Sequence, residues 1–101
     1  MLVTKKKTNS IKAVKLTTGE EFIALCEGVE AHGYRFKRPL VMVMTENQSG
    51  GTAHVVFAPW MIGVEPTETI TISETHIICM VDAAANAARE YEQATGLSAD
   101  K

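Results

Sequence analysis

The sequence lacks most of the features that announce a chemistry. It holds two cysteines in 101 residues, Cys26 and Cys79, and neither belongs to a CxxC pair. Two thiols make no disulfide framework. Both lie in apolar, strand-like runs and are read as reduced core thiols. The three histidines, His32, His54 and His76, form no HxxH or HxxxH pair, so no metal site is expected. There is no GxSxG, no P-loop, no GxGxxG and no Ser/His/Asp order. Glu20 and Glu21 are adjacent carboxylates beside a turn and are read as solvated. The chain is therefore not expected to be an enzyme or to hold a cofactor. A TIM barrel, a full dinucleotide-binding fold or a two-domain enzyme needs a longer chain.

Long apolar runs are missing too. Runs such as Leu40–Met44 are far too short to cross a bilayer. Met1–Ser10 has no apolar signal-peptide core. A cytoplasmic protein with no membrane partner is expected. Hydrophobic residues make up 46% and charged residues 22%, the balance of a folded domain rather than a disordered chain. A net charge of −2 argues against a protein that coats DNA. The charge is uneven: residues 1–51 hold eight basic and five acidic side chains, residues 52–101 two and seven. Surfaces of opposite sign are thus available to meet between subunits.

What is present is a succession of short β-prone runs. Residues 1–10 form a basic lead-in with Lys5-Lys6-Lys7. Ile11–Leu16 and Glu21–Glu27 flank Thr17-Thr18-Gly19-Glu20, the pattern of a β-hairpin. In the second run Phe22, Ala24 and Cys26 share one face, and Ile23 and Leu25 share the other. Both faces are apolar, so this strand is expected to be covered on both sides. Tyr34–Met44 is a third strand, and Pro39 places an edge or a kink within it. Thr45–Gly51 is a loop. Thr52–Pro59, Ile70–Ile72 and Ile77–Val81 are further strands. Turn signals every eight to twelve residues point to a small antiparallel sandwich or barrel.

The period then changes. Ala83–Thr95 is built of helix formers, with Asp82 as N-cap and Gly96 at C′. Ala84, Ala87, Ala88, Tyr91 and Ala94 form one stripe. Such a stripe buries little area, so the helix is expected to dock on the sheet or on a neighbouring subunit. Trp60 is read as a core or interface anchor. Tyr34, Arg35, Phe36, Lys37 and Arg38 interleave aromatic and basic residues, as a single-strand nucleic-acid binder requires. The same pattern also suits a strand with one apolar and one solvated face.

The segment Val14-Lys15-Leu16-Thr17-Thr18-Gly19-Glu20-Glu21-Phe22-Ile23-Ala24 resembles the strand-turn-strand opening of an Sm-like (LSm/Hfq-like) domain. Leu40–Met44, Asn47–Gly51 and Thr52–Trp60 are similar to its third strand, variable loop and fourth strand. Ile72-Ser73-Glu74-Thr75-His76-Ile77-Ile78 resembles its closing turn and fifth strand. The ordered set KLTTGEEFIA, KRPLVMVM, FAPWM and ITISETHII is similar to small Sm-like proteins of cyanophage and other marine phage origin. The resemblance implies a mainly β fold, a strongly bent five-stranded antiparallel barrel over residues 11–81. A C-terminal helix at 82–97 and a tail at 98–101 follow.

It further implies a cyclic homo-oligomer of roughly five to seven subunits and, for a phage protein, the host cytoplasm as its setting. Single-stranded RNA is the partner implied by the family. Arg35, Lys37, Arg38, His76 and His32 are the candidate nucleic-acid contacts, with cations for phosphates and His76 for a base. Two elements of the family's RNA binders have no counterpart here. Glu27–Gly33 stands in place of Asp-x-x-Met-Asn, and Ser73–His76 in place of Arg-Gly or Lys-Gly. Two functions therefore stay open. One is a ring that binds single-stranded RNA; the other is a homo-oligomeric structural or protein-interaction module, serving phage assembly or host take-over, with no nucleic-acid ligand.

Overall fold

The computed structural model describes residues 10–46 and 53–98. The Lys5–Lys7 run, the centre of the expected loop and the end of the tail lie outside the described residues, as does the side chain of His54. The elements are β1 (Ser10–Leu16), β2 (Glu21–Glu30), β3 (Gly33–Glu46), β4 (Ala53–Pro59), β5 (Thr69–Ser73), β6 (Ile77–Asp82) and α1 (Ala85–Thr95). A single 3₁₀ turn, Glu74–His76, joins β5 to β6.

The first hairpin closes as its sequence dictates. Leu16 accepts from the Gly19 amide and donates to the Glu20 carbonyl, both at 2.8 Å. Gly19 sits at φ +96°, where a side chain is strongly disfavoured. β1 and β2 then pair from Lys15 with Glu21 to Ser10 with Cys26. The sheet order is β4-β3-β2-β1-β6, antiparallel throughout, with β5 paired to β3. This is a mainly β fold with a C-terminal helix, as expected, but its ladders describe an open sheet of six strands where a five-stranded barrel was expected.

β3 carries two partners end to end on one edge. Gly33–Lys37 pairs with β5, and Leu40–Glu46 pairs with β4. The break falls at Arg38-Pro39, where the kink was expected. Arg38 has φ +50°, the one described non-glycine residue with a positive φ. Pro39 has no amide to donate, but its carbonyl accepts from Trp60 N at 3.0 Å.

The sheet curls strongly. β5 and β6 lie on opposite sides of the β1-β2-β3 meander, yet three residues join them. Ser73 and Ile77 are four residues apart and span at most about 14 Å. The turn is tied at both ends: Glu74 N donates to the His32 carbonyl at 2.8 Å, and Thr17 N to the His76 carbonyl at 2.9 Å. The tip of the β2–β3 hairpin therefore folds over to the foot of β1. Register shifts in β2, between Ile23 and Leu25 and between Cys26 and Gly28, supply the bend.

Both faces of β2 are covered, as its alternation predicts. Phe22, Ala24 and Cys26 join Val14, Leu16, Phe36 and Ile72 in the core inside the curl. Ile23 and Leu25 join Ile11, Leu40 and Tyr91 in a second core under α1. Trp60 is partly buried and packs on Phe22, with ring centroids 5.0 Å apart. The helix docks on its own sheet through Ala87, Ala88 and Tyr91. Gly96 ends it at φ +78°, donating to the Glu92 carbonyl.

Two expectations are corrected. The N-cap is Ala84, with no side-chain cap. Asp82 instead completes β6 and pairs with Lys12 across the β1 ladder at 2.7 Å. Cys26 is a core thiol, but Cys79 is exposed, because β6 lies at the end of the sheet and only Ile77 and Met80 of it pack against the core.

Candidate functional site

Strand alternation sorts the candidate cations. Tyr34 and Phe36 turn toward the core inside the curl, so Arg35 and Lys37 point outward. Across the β5 ladder they stand opposite Thr71 and Thr69. Each has a carboxylate partner. Arg35 Nη1 lies 3.3 Å from Glu30 Oε2, and Lys37 Nζ lies 3.7 Å from Glu27 Oε2. Both pairs are partly solvent-exposed, so each is worth at most about 1 kcal/mol. They do offset the positive charge that this strand presents.

Arg38 goes elsewhere. The kink turns it to a groove of about 100 Å³ that it shares with Pro59, Ile62, Glu65 and Glu68. The backbone of His32 meets the turn that carries His76, from far apart in sequence. The Glu74–His76 turn bonds to the His32 carbonyl, and both imidazoles are exposed. Ser73 Oγ caps the turn by accepting from Thr75 N at 3.3 Å. Tyr34 and Glu74 line a shallow depression beside it. The five candidates thus divide into an outer strip (Arg35, Lys37), a groove residue (Arg38) and a histidine-bearing turn. Among the described residues no hydrogen bond or ion pair joins the basic residues to the histidines.

The free strand edges, which a ring of paired strands requires, lie at β4 and β6. β4 and β6 end the sheet order and each is paired on one side only. Val56 on β4 is 46% exposed, and Ile78 and Val81 on β6 are 60% and 56% exposed. The Ala83 amide bonds to the Ile11 carbonyl, which fixes the ladder parity. By alternation the Met80 and Asp82 amides point away from β1. The Ile77–Val81 run is a strand, as expected, and it stands at an edge.

No family model matches the chain, and no curated protein matches it. Among the described residues no three His, Cys, Asp or Glu side chains are grouped to hold a metal ion. No described helix is long and apolar enough to cross a membrane.

The most perturbed titratable group is away from these surfaces. Tyr91 is fully buried, and burial pushes its phenol up to about 12, against opposing contributions from the Leu25 amide and the Arg38 charge. Its hydroxyl accepts from Leu25 N at 3.1 Å and lies 2.8 Å from the Lys37 carbonyl and 2.9 Å from that of Arg38. The helical stripe includes Tyr91, but nothing in the sequence marks these hydrogen bonds.

Proposed function

We propose that this chain is a self-assembling, Sm-like module that closes into a homo-oligomeric ring. β4 of one copy pairs with β6 of the next. The observation that carries this reading is the pair of free edges at opposite ends of one sheet, each with exposed apolar side chains. Such edges invite strand pairing and are otherwise a hazard to a soluble protein. Because the two edges differ, the contact is heterologous, and repetition closes a ring when the rotation allows. The curl supports an Sm-like barrel, since a three-residue turn links the two sides of the meander. The likeness of KLTTGEEFIA and ITISETHII to small phage Sm-like proteins supports it further.

The module is read first as a structural or protein-interaction element, because Glu30 and Glu27 offset Arg35 and Lys37. One observation favours single-stranded RNA as ligand of the same ring. The Glu74–His76 turn, which carries exposed His76, bonds through the Glu74 amide to the carbonyl of exposed His32, and a ring repeats that turn in every subunit. Native mass spectrometry with light scattering tests the assembly: a discrete multiple of the chain mass is expected, and the mass of one chain at micromolar concentration overturns it. Absorbance at 260 nm that co-elutes with the ring and is removed only by nuclease distinguishes the RNA-bound form.

A further inference from the structure

We infer that α1 is a strap: Tyr91 holds Arg38 in its left-handed backbone and thereby sets the direction of β4 relative to the rest of the sheet. Arg38 is an arginine at φ +50° directly before a proline, a position where the chain prefers extended backbone. Conformations of this kind persist only when the surroundings impose them. The hydrogen bond to its carbonyl comes from a side chain of the helix. The Tyr91 hydroxyl lies within hydrogen-bond distance of the carbonyls of Lys37 and Arg38 and accepts the Leu25 amide. These are backbone groups beside the register shift of β2 against β3. The Tyr91 ring also packs edge-on against Phe57 of β4, 6.5 Å between centroids. One residue thus touches β2, the β3 backbone at the kink, and β4.

The strap is weakly anchored in its own right. α1 has eleven residues, no side-chain N-cap and an alanine-rich contact face. A helix of that length is marginal without its docking. Its release lets Arg38 relax toward extended backbone, and the first casualties are the contacts just beyond the kink, led by Trp60 N to the Pro39 carbonyl. Where the ring reading holds, on which this consequence alone rests, helix docking also governs the edge that a neighbour meets.

The test uses the full chain in three forms. Tyr91→Phe keeps the buried ring and removes the hydroxyl. Amide exchange at Trp60 and Ala58 should quicken by roughly tenfold or more, and the emission of Trp60, the single tryptophan, should shift. Adding Arg38→Gly supplies a residue at ease with positive φ, so the kink should persist without the strap. In Tyr91→Phe/Arg38→Gly, exchange at Trp60 and Ala58 should return to within about threefold of the parent, while the Leu25 amide stays unprotected. Parent-like exchange at Trp60 in Tyr91→Phe overturns the inference, and so does failure of Arg38→Gly to restore it. If Tyr91→Phe does not fold, Arg38→Gly alone decides. Trp60 protection equal to or above the parent's supports a strained Arg38, and loss of protection overturns it. Exchange is read on a single chain or a ring alike, so a monomeric mass sinks the assembly without touching the strap.

Discussion

The hydroxyl of Tyr91 accepts the amide proton of Leu25 at 3.1 Å, closing a gap that the β2–β3 ladder leaves open. Ionising that phenol inside the fold is costly. Its pKa is about 12 in the folded chain against 10.0 for an ordinary tyrosine. The folded value is the higher one, so the contribution is fully present below about pH 10 and is lost as pH rises toward 12. The loss approaches something on the order of 3 kcal/mol above pH 12. Denaturant unfolding from about pH 9 to about pH 11 should show stability falling in the parent and falling less in Tyr91→Phe. At neutral pH the same substitution should cost about 1–3 kcal/mol, because Leu25 N–H is left buried without a partner. Equal alkaline slopes in the two proteins would show that Tyr91 is not the titrating group.

Two glycines should respond differently to alanine. Gly19 lies in open space at φ +96°, so Gly19→Ala meets no atom and costs only backbone strain, about 1–2 kcal/mol. A β-branched Gly19→Val should cost more, up to about 3 kcal/mol. At Gly33 an added Cβ would run into the backbone carbonyl of Ile72 on the paired strand. Gly33→Ala should therefore part β3 from β5. Thermal melts with amide exchange on β5 check both: Gly33→Ala should lose protection at Thr69–Ser73, and Gly19→Ala should keep it.

The proposed ring makes a sharp demand on its edges. Val56 and Ile78 are largely solvent-exposed within one chain, so Val56→Lys and Ile78→Lys should change single-chain stability by only about 0.5 kcal/mol. In an assembly each substitution buries a charge at every interface. Sedimentation should then show a shift toward single chains with unchanged circular dichroism. If the assembled mass survives both substitutions, the β4 and β6 edges are not the contact.

Much of the fold was legible in the sequence, and the reasons are local. The alternation of Phe22 to Cys26 named both core faces correctly, because a strand's side chains must take opposite sides. Gly19, Pro39 and Gly96 marked a turn, a kink and a helix end through backbone constraints that no distant contact overrides. Asp82 was misread because a good cap residue was also a good ladder partner for Lys12, and the ladder won. Cys79 was misread because the apolar character of a strand does not say which of its faces is covered. The candidate cations were legible as outward-facing, whereas their pairing with Glu27 and Glu30 depends on the bend of β2 and was not.

The RNA reading is tested most directly by salt. If Arg35 and Lys37 meet phosphates, each must leave a carboxylate that sits within 4 Å of it. Each lost contact on a single strand should flatten the slope of log K against log salt by about 0.7, multiplied where a ring repeats it. Arg35→Ala and Lys37→Ala should both do so. Arg38→Ala should do less, because the kink turns Arg38 into a groove shared with Glu65 and Glu68 rather than onto the outer strip. Glu30→Gln and Glu27→Gln should have the opposite effect, freeing the cations and strengthening binding. His76→Ala and His32→Ala should weaken binding with little change in slope, since an imidazole stacked on a base releases no counterion. Fluorescence anisotropy with labelled oligo-U and oligo-A reads all of these. If the parent binds neither above background at low salt, RNA is not the ligand, and the module without nucleic acid is the reading that stands.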